Sequence, residues 1–159
     1  MEALALQTDK IKIAIEKTNQ EIPSVNICLE DGTWSGLTFH GVPGGHEFTS
    51  FILGIYNVAG PGQKIEQTYL ERIDKINKEI NIKIIVSLSC TMCPELVTSA
   101  QRIASLNKQI TTEVYDIQHF KQLKDQYQIM SVTCMVINDQ KVVFGKKNIE
   151  QILEIIENV

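Results

Sequence analysis

The sequence predicts an α/β fold built from one complete β-α-β-α-β-β-α unit and a shortened copy of it. Apolar stretches typical of strands alternate along the chain with amphipathic stretches typical of helices. Residues 82–88 are densely apolar, as expected of a strand that is buried on both faces. The order strand, turn, strand, glycine corner, helix occurs twice, over residues 24–58 and 134–159, and indicates an internal repeat.

The first unit, residues 1–62, is predicted to be the shortened copy. Its alternating segment 11–15 suits a strand, and the turn residues Asp31 and Gly32 separate two further strands. A corner rich in glycine and proline then precedes an apolar helix that ends before Gly60. The predicted strands are 11–15, 24–29 and 34–39, and the predicted helix is 47–58.

The second unit, residues 63–159, is predicted to be complete. Its helices carry apolar residues at helical spacing, and its last two strands are joined by a turn at Asn138 and Asp139. The predicted strands are 82–88, 111–115, 134–137 and 141–144, and the predicted helices are 65–79, 95–107, 120–128 and a last one after Gly145.

Composition and charge exclude several classes of function. The chain has 159 residues, 43% of them hydrophobic, and its net charge is −4 without a basic cluster, which argues against nucleic acid as a partner. No apolar run approaches the roughly 20 residues that span a bilayer, and the first residues lack the basic start of a secretory signal. We therefore expect a cytoplasmic protein without a membrane partner.

The strongest motif is a Cys-x-x-Cys at a predicted strand-to-helix junction, with Thr91 and Met92 between Cys90 and Cys93. A spacing of three residues places both sulfurs on one face of the first helical turn, where a disulfide forms with little strain. The helix N-terminus favours a thiolate, so Cys90 is predicted to be the nucleophile and Cys93 the resolving thiol. Pro94 fits the first turn, where its missing N–H is not needed.

Other interpretations of the cysteines stay open at this point. A zinc half-site would need Cys134 or one of the histidines as further ligands, yet no second Cys-x-x-Cys or His-x3-His follows. Inert thiols and a Cys–His hydrolase are further alternatives, although a hydrolase would not require the second cysteine. Cys28 and Cys134 lie in apolar strands and are predicted to be buried. The histidines are predicted to lie at the surface or in turns; they are His40, His46 and His119.

Two segments resemble the N-terminal domain of the bacterial alkyl hydroperoxide reductase flavoprotein subunit. Residues 41–51, GVPGGHEFTSF, are similar to its conserved Gly-His-Glu-Phe-Thr-Ser segment, and residues 87–94, SLSCTMCP, resemble its redox segment. The resemblance covers about residues 10–156. It implies an α/β, thioredoxin-like architecture of two fused thioredoxin-type folds, of which the first has lost its cysteines. The shortened copy described above agrees with that expectation.

The resemblance also implies a function. Domains of this family relay electrons from a thioredoxin-reductase-like flavoprotein module to a peroxiredoxin, and similar domains are appended to thioredoxin-reductase-like flavoproteins. The chain is accordingly expected to be a protein-disulfide oxidoreductase, with Glu47 assisting proton transfer near the nucleophilic sulfur. It has no Gly-x-Gly-x-x-Gly, so FAD and NAD(P)H are expected on a partner or a missing module. The alternative for Glu47 is an ordinary acidic residue in a first helical turn.

The sequence departs from the family in two places. The family's opening strand and most of its first helix have no counterpart before Lys10. Thr133 stands where thioredoxin-like folds have a cis-proline, and a cis peptide before a non-proline residue costs about 3 kcal/mol, which leaves a trans Val132–Thr133 bond open.

Two hypotheses follow from Thr133: altered release of a mixed disulfide, or access of a metal or iron–sulfur cluster to the cysteine pair. The second gives the main alternative function, a metal- or cluster-binding module. A docking domain whose thiols have become unimportant is a further alternative.

Overall fold

The structure is a computed structural model that describes residues 2–159. Six helices and six strands follow one another along the described chain. The strands are β1 (Ser24–Cys28), β2 (Trp34–His40), β3 (Ile80–Val86), β4 (Ile110–Asp116), β5 (Cys134–Ile137) and β6 (Lys141–Phe144). The helices are α1 (Glu2–Ala5), α2 (Glu47–Ala59), α3 (Gln67–Asp74), α4 (Cys93–Leu106), α5 (Gln122–Gln126) and α6 (Ile149–Glu157).

The strands form one sheet in the order β1-β2-β4-β3-β5-β6. Strands β3 and β4 are parallel, with Ile80 opposite Ile110, and α4 crosses between them. Each outer pair of strands, β1 with β2 and β5 with β6, is an antiparallel hairpin. The sheet is continuous because β2 pairs in parallel with β4 and thereby joins the two units.

The main core lies between the sheet and the helices α2, α3, α4 and α6. Strand β3 contributes Ile82 and Ile84 to it, and α4 contributes Leu96 and Val97, all fully buried. A smaller cluster on the other side of the sheet contains Ile85 and residues of the α5 region. Strand β3 thus has apolar side chains on both faces, which explains its dense apolar sequence.

The predicted thioredoxin-like α/β architecture is confirmed, and the repeated hairpin followed by a helix is present as β1-β2-α2 and β5-β6-α6. The division of the chain at residue 62 stays a prediction. The predicted strand at 11–15 is wrong, because residues 11–18 have no regular secondary structure. An alternating segment becomes a strand only where another strand accepts its hydrogen bonds, and β1 is bonded to β2 alone. None of the helices in the described residues has the length and apolar character needed to cross a membrane.

Candidate active site

The Cys-x-x-Cys segment lies where the chain leaves β3 and enters α4. The backbone N–H of Cys90 donates to the Ser87 carbonyl at 2.9 Å and closes the turn after the strand. Met92 is the N-cap of α4, Cys93 is its first residue and Pro94 follows in the first turn, where a missing N–H costs no helical hydrogen bond. The helix begins two residues earlier than predicted, so Cys93 is itself helical.

The two cysteines differ sharply in exposure. Cys93 is completely buried in the main core, whereas Cys90 is partly exposed beside the exposed residues Thr91 and Met92. Both are present as free thiols. An incoming disulfide can therefore reach the sulfur of Cys90 but not that of Cys93.

Thr133 lies directly against both sulfurs. Its hydroxyl donates a hydrogen bond to Cys93 Sγ over 3.0 Å, and the same oxygen is 3.8 Å from Cys90 Sγ. Thr133 is 3% exposed and precedes β5, and its peptide bond with Val132 is cis. The conformation of this peptide bond, which the sequence left open, is therefore cis.

The pKa values of the two thiols move in opposite directions. Burial raises the pKa of Cys90, but hydrogen bonds from the Cys93 thiol, from backbone amides of the helix start and from Thr133 outweigh it, and the net pKa is lowered. Burial, together with a smaller contribution from the adjacent Cys90, raises the pKa of Cys93 to about 12. Cys93 thus keeps its proton and gives a hydrogen bond to the Cys90 thiolate.

Glu47 is brought to the same end of the sheet by a close backbone contact. The N–H of His46 donates to the Leu88 carbonyl at 3.0 Å, two residues before Cys90. Gly45 has φ +54°, and a Cβ atom on it would lie 2.3 Å from the Leu88 carbonyl oxygen. Only glycine allows this approach, so Gly45 fixes the first turn of α2 beside the cysteine loop.

The carboxyl group of Glu47 is fully buried, and neither of its oxygens has a hydrogen-bond partner within the described part of the chain. Burial raises the pKa of Glu47 to about 7, and the Ser50 hydroxyl one turn later opposes the shift without forming a regular hydrogen bond. An exposed carboxyl in a first helical turn would not behave in this way. Glu47 does lie in the first turn of α2, as its alternative interpretation states, but it is buried there, and its role in proton transfer stays a prediction.

The remaining predicted residues have mixed outcomes. Cys134 is buried, as expected, but Cys28 is exposed, because in the edge strand β1 the neighbouring Ile27 is the residue that points into the core. His119 is 54% exposed, in agreement with the prediction. His40 is not a simple surface residue: it is 21% exposed, its Nε2 lies 2.8 Å from Glu113 Oε2, and its ring stacks on Tyr115.

Sequence reasoning missed two features of this end of the molecule. Ser50 lies three residues after Glu47 and therefore on the same helix face, a spacing that would have identified it. The contact of Gly45 with Leu88 has no sequence signal beyond the glycine itself. No cluster of three or more His, Cys, Asp or Glu side chains suited to a metal occurs in the part of the chain that the structure describes. A metal or cluster held by Cys90 and Cys93 would therefore need ligands from outside these residues.

Comparison with known proteins adds independent evidence. A family model described as a thioredoxin domain matches residues 80–157. An NADH dehydrogenase of Ferdinandcohnia aciditolerans is 34% identical over 143 residues, which are 89% of this chain and 27% of that protein. The AhpF component of the alkyl hydroperoxide reductase of Pseudomonas aeruginosa is 32% identical over 146 residues, which are 92% of this chain and 28% of that component.

A solved structure matches over most of its own length as well. The crystal structure of the N-terminal domain of the alkyl hydroperoxide reductase component AhpF of Enterococcus faecalis has a TM-score of 0.80 and 38% identity. The match covers 97% of this chain and 70% of that one. By contrast, the chain spans less than a third of the length of the curated relatives named above. The chain belongs to the family of N-terminal, thioredoxin-like domains of the alkyl hydroperoxide reductase component AhpF.

Proposed function

We propose that the chain is a thiol–disulfide oxidoreductase domain that relays electrons through Cys90 and Cys93. The Cys90 thiolate attacks a disulfide of the partner, forming a mixed disulfide and releasing one partner thiolate, which takes up a proton. Cys93 loses its proton and attacks the Cys90 sulfur, so that the bond to the partner breaks and its second thiolate leaves. The partner disulfide gains two electrons, and the cysteine pair is oxidised to a disulfide.

The observation that supports this proposal most strongly is the difference between the two thiols. The accessible thiol, Cys90, has the lowered pKa and is the better nucleophile near neutral pH, whereas the buried thiol has a pKa of about 12. Cys93 is therefore protected from outside reagents and reacts within the molecule, once a mixed disulfide has formed at Cys90. A structural zinc site would need two thiolates and further ligands instead.

Glu47 is proposed to accept the proton of Cys93 during the second step. A carboxyl with a pKa of about 7 exchanges protons readily near neutral pH. Because its oxygens have no hydrogen bond to either sulfur in the described residues, we propose that the proton reaches Glu47 through water or after a movement of the side chain. The resemblance of the Gly-His-Glu-Phe segment to the family implies the same role for Glu47.

The surroundings of Cys90 suit a protein as the partner. Exposed apolar side chains occur in the cysteine loop and in the two segments beside it: Met92 in the loop, Val42 and Phe48 near the start of α2, and Met130 before Thr133. Met130 is 83% exposed and lies three residues before Thr133, so a partner docked at Cys90 can reach it. Flexible methionines adapt to different partner surfaces.

The electron donor and acceptor follow from the family. The donor is proposed to be a thioredoxin-reductase-like flavoprotein module that carries FAD and is reduced by NAD(P)H, and the acceptor is proposed to be a peroxiredoxin or another disulfide protein. We propose that FAD and NAD(P)H bind to that module, since this chain lacks the Gly-x-Gly-x-x-Gly turn that approaches the pyrophosphate. Its part in the relay is the thiol chemistry alone.

The test supplies the chain with a separate thioredoxin-reductase-like flavoprotein module, NADH and an oxidised bacterial peroxiredoxin. Peroxiredoxin reduction is expected to require the chain and to stop with Cys90→Ser, whereas Cys93→Ser is expected to accumulate a mixed disulfide through Cys90. Cys28→Ser, which removes the other exposed thiol, is the matched control and is expected to retain the activity. Full activity of Cys90→Ser would instead favour the docking-domain alternative.

A further inference from the structure

Thr133 brings a hydroxyl to a position where a thioredoxin-like fold has proline, which has none. This hydroxyl is buried against the sulfurs of Cys90 and Cys93. It is bonded to Cys93 rather than placed midway between the sulfurs: 3.0 Å separates it from Cys93 Sγ and 3.8 Å from Cys90 Sγ. The hydroxyl is the donor toward Cys93. A hydroxyl donor in contact with a buried sulfur stabilises the thiolate of that sulfur over the thiol.

We propose that Thr133 is a catalytic residue of the resolving step, in which its hydroxyl holds the Cys93 thiolate and thereby speeds the attack on the mixed disulfide. This inference rests on the proposed function and deepens it. In the attack, the Cys93 sulfur forms a bond to the Cys90 sulfur and the bond from Cys90 to the partner breaks. The partner sulfur leaves with the electron pair, and the proton of Cys93 goes to the base, not to Thr133, which keeps its own proton throughout.

The need for such a donor follows from the burial of Cys93. The side chain is completely shielded from water, so its thiolate has no solvent to stabilise it, and the pKa of the thiol is about 12. Proline at position 133 would offer no hydrogen-bond donor at all. The threonine hydroxyl replaces part of the missing hydration, and its contribution lowers the pKa of Cys93 against the dominant effect of burial.

The effect on Cys90 is expected to be smaller for a geometric reason. Cys90 Sγ lies 0.8 Å farther from the hydroxyl oxygen than Cys93 Sγ does, and its thiolate already receives hydrogen bonds from the helix start. Loss of the hydroxyl therefore slows the second step more than the first. This difference distinguishes a role in resolution from a general disturbance of the loop, which would slow both steps.

The experiment uses the full chain with Cys28→Ser, so that no exposed thiol competes, and the aromatic disulfide dithiobis(nitrobenzoate). Attack by Cys90 releases one coloured thiolate and resolution by Cys93 releases a second, so stopped-flow absorbance separates the two steps. Thr133→Val removes the hydroxyl with little change in shape. It is expected to slow the second phase about threefold to tenfold near neutral pH and the first phase much less, and to move the pH profile of the second phase upward by about one unit.

Two further variants complete the test. Thr133→Ser keeps the hydroxyl and is expected to retain the second phase, and Thr112→Val removes a buried hydroxyl elsewhere in the sheet and is expected to change neither phase. Unchanged kinetics in Thr133→Val, or an equally slow second phase in Thr133→Ser, would overturn the inference. If Thr133→Val does not fold, Thr133→Ala takes its place. Failure of the proposed function would give a different result, because the Cys28→Ser chain that keeps Thr133 would then show no second phase.

Discussion

Replacing Glu47 by glutamine should change how the stability of the protein depends on pH. Burial raises the pKa of this carboxyl from 4.5 to about 7, so the folded state binds the proton more tightly than the unfolded state does. The carboxyl therefore contributes its full stability below pH 4.5, and this stability is lost as the pH rises to about 7. Above that pH the folded protein holds a buried charge that has no hydrogen-bond partner among the described residues.

The magnitude follows from the size of the shift. A pKa difference of about 2.5 units at 1.36 kcal/mol per unit corresponds to about 3 kcal/mol of unfolding free energy. Glu47→Gln has no proton to bind in this range. Relative to Glu47→Gln, the unsubstituted protein should thus lose about 3 kcal/mol of stability between about pH 4 and about pH 8.5.

Urea unfolding followed by circular dichroism, at a series of pH values and with reductant present, measures this difference directly. Glu150→Gln removes an exposed acidic residue from the first turn of α6 and serves as the matched control, with an expected change below about 0.5 kcal/mol across the series. The reasoning would be refuted if the free-energy difference between the protein and Glu47→Gln stayed constant over the whole pH range, since Glu47 would then ionise alike in the folded and unfolded states.

Three further predictions concern the surroundings of the site and the nucleophile. Gly45→Ala should destabilise the protein by more than about 2 kcal/mol in urea unfolding, because its Cβ would lie 2.3 Å from the Leu88 carbonyl oxygen. The control, Gly32→Ala, should cost only about 1 kcal/mol, because Gly32 has a φ of +85° but open space around it. Equal effects of the two substitutions would contradict the role given to the close contact. A hydrogen bond from His40 and further donors lower the pKa of Glu113 from 4.5 to about 2, so Glu113→Gln should be about 3 kcal/mol less stable near neutral pH. This deficit should vanish as the pH falls from 4.5 towards 2, and a deficit that persists in acid would argue against the role of the carboxylate. The rate of alkylation of Cys90 by iodoacetamide should rise with a midpoint below pH 9.0, since its hydrogen bonds outweigh burial; a midpoint at or above that value would show that burial dominates.

Much of the architecture was predictable because it depends on local patterns. The order of strands and helices from Ser24 onward follows from apolar periodicity and from the turn residues, and the dense apolar run of β3 indicated burial on both faces. The predicted strand at 11–15 failed because pairing is not a local property: an alternating segment needs a neighbour in the sheet. The prediction that Cys28 is buried failed for a related reason. Which face of the edge strand β1 points into the core is set by its pairing with β2.

The sequence by itself determined the chemistry of this protein: two cysteines three residues apart at the start of a helix, and a family segment that contains Glu47. Tertiary structure decided how that chemistry is tuned. The depth at which Cys93 and Glu47 are buried, and the hydrogen bond that Thr133 gives to a sulfur 40 residues earlier in the chain, arise where distant segments pack together. Burial and long-range hydrogen bonds set the pKa values, and neither can be read from the residues adjacent in sequence.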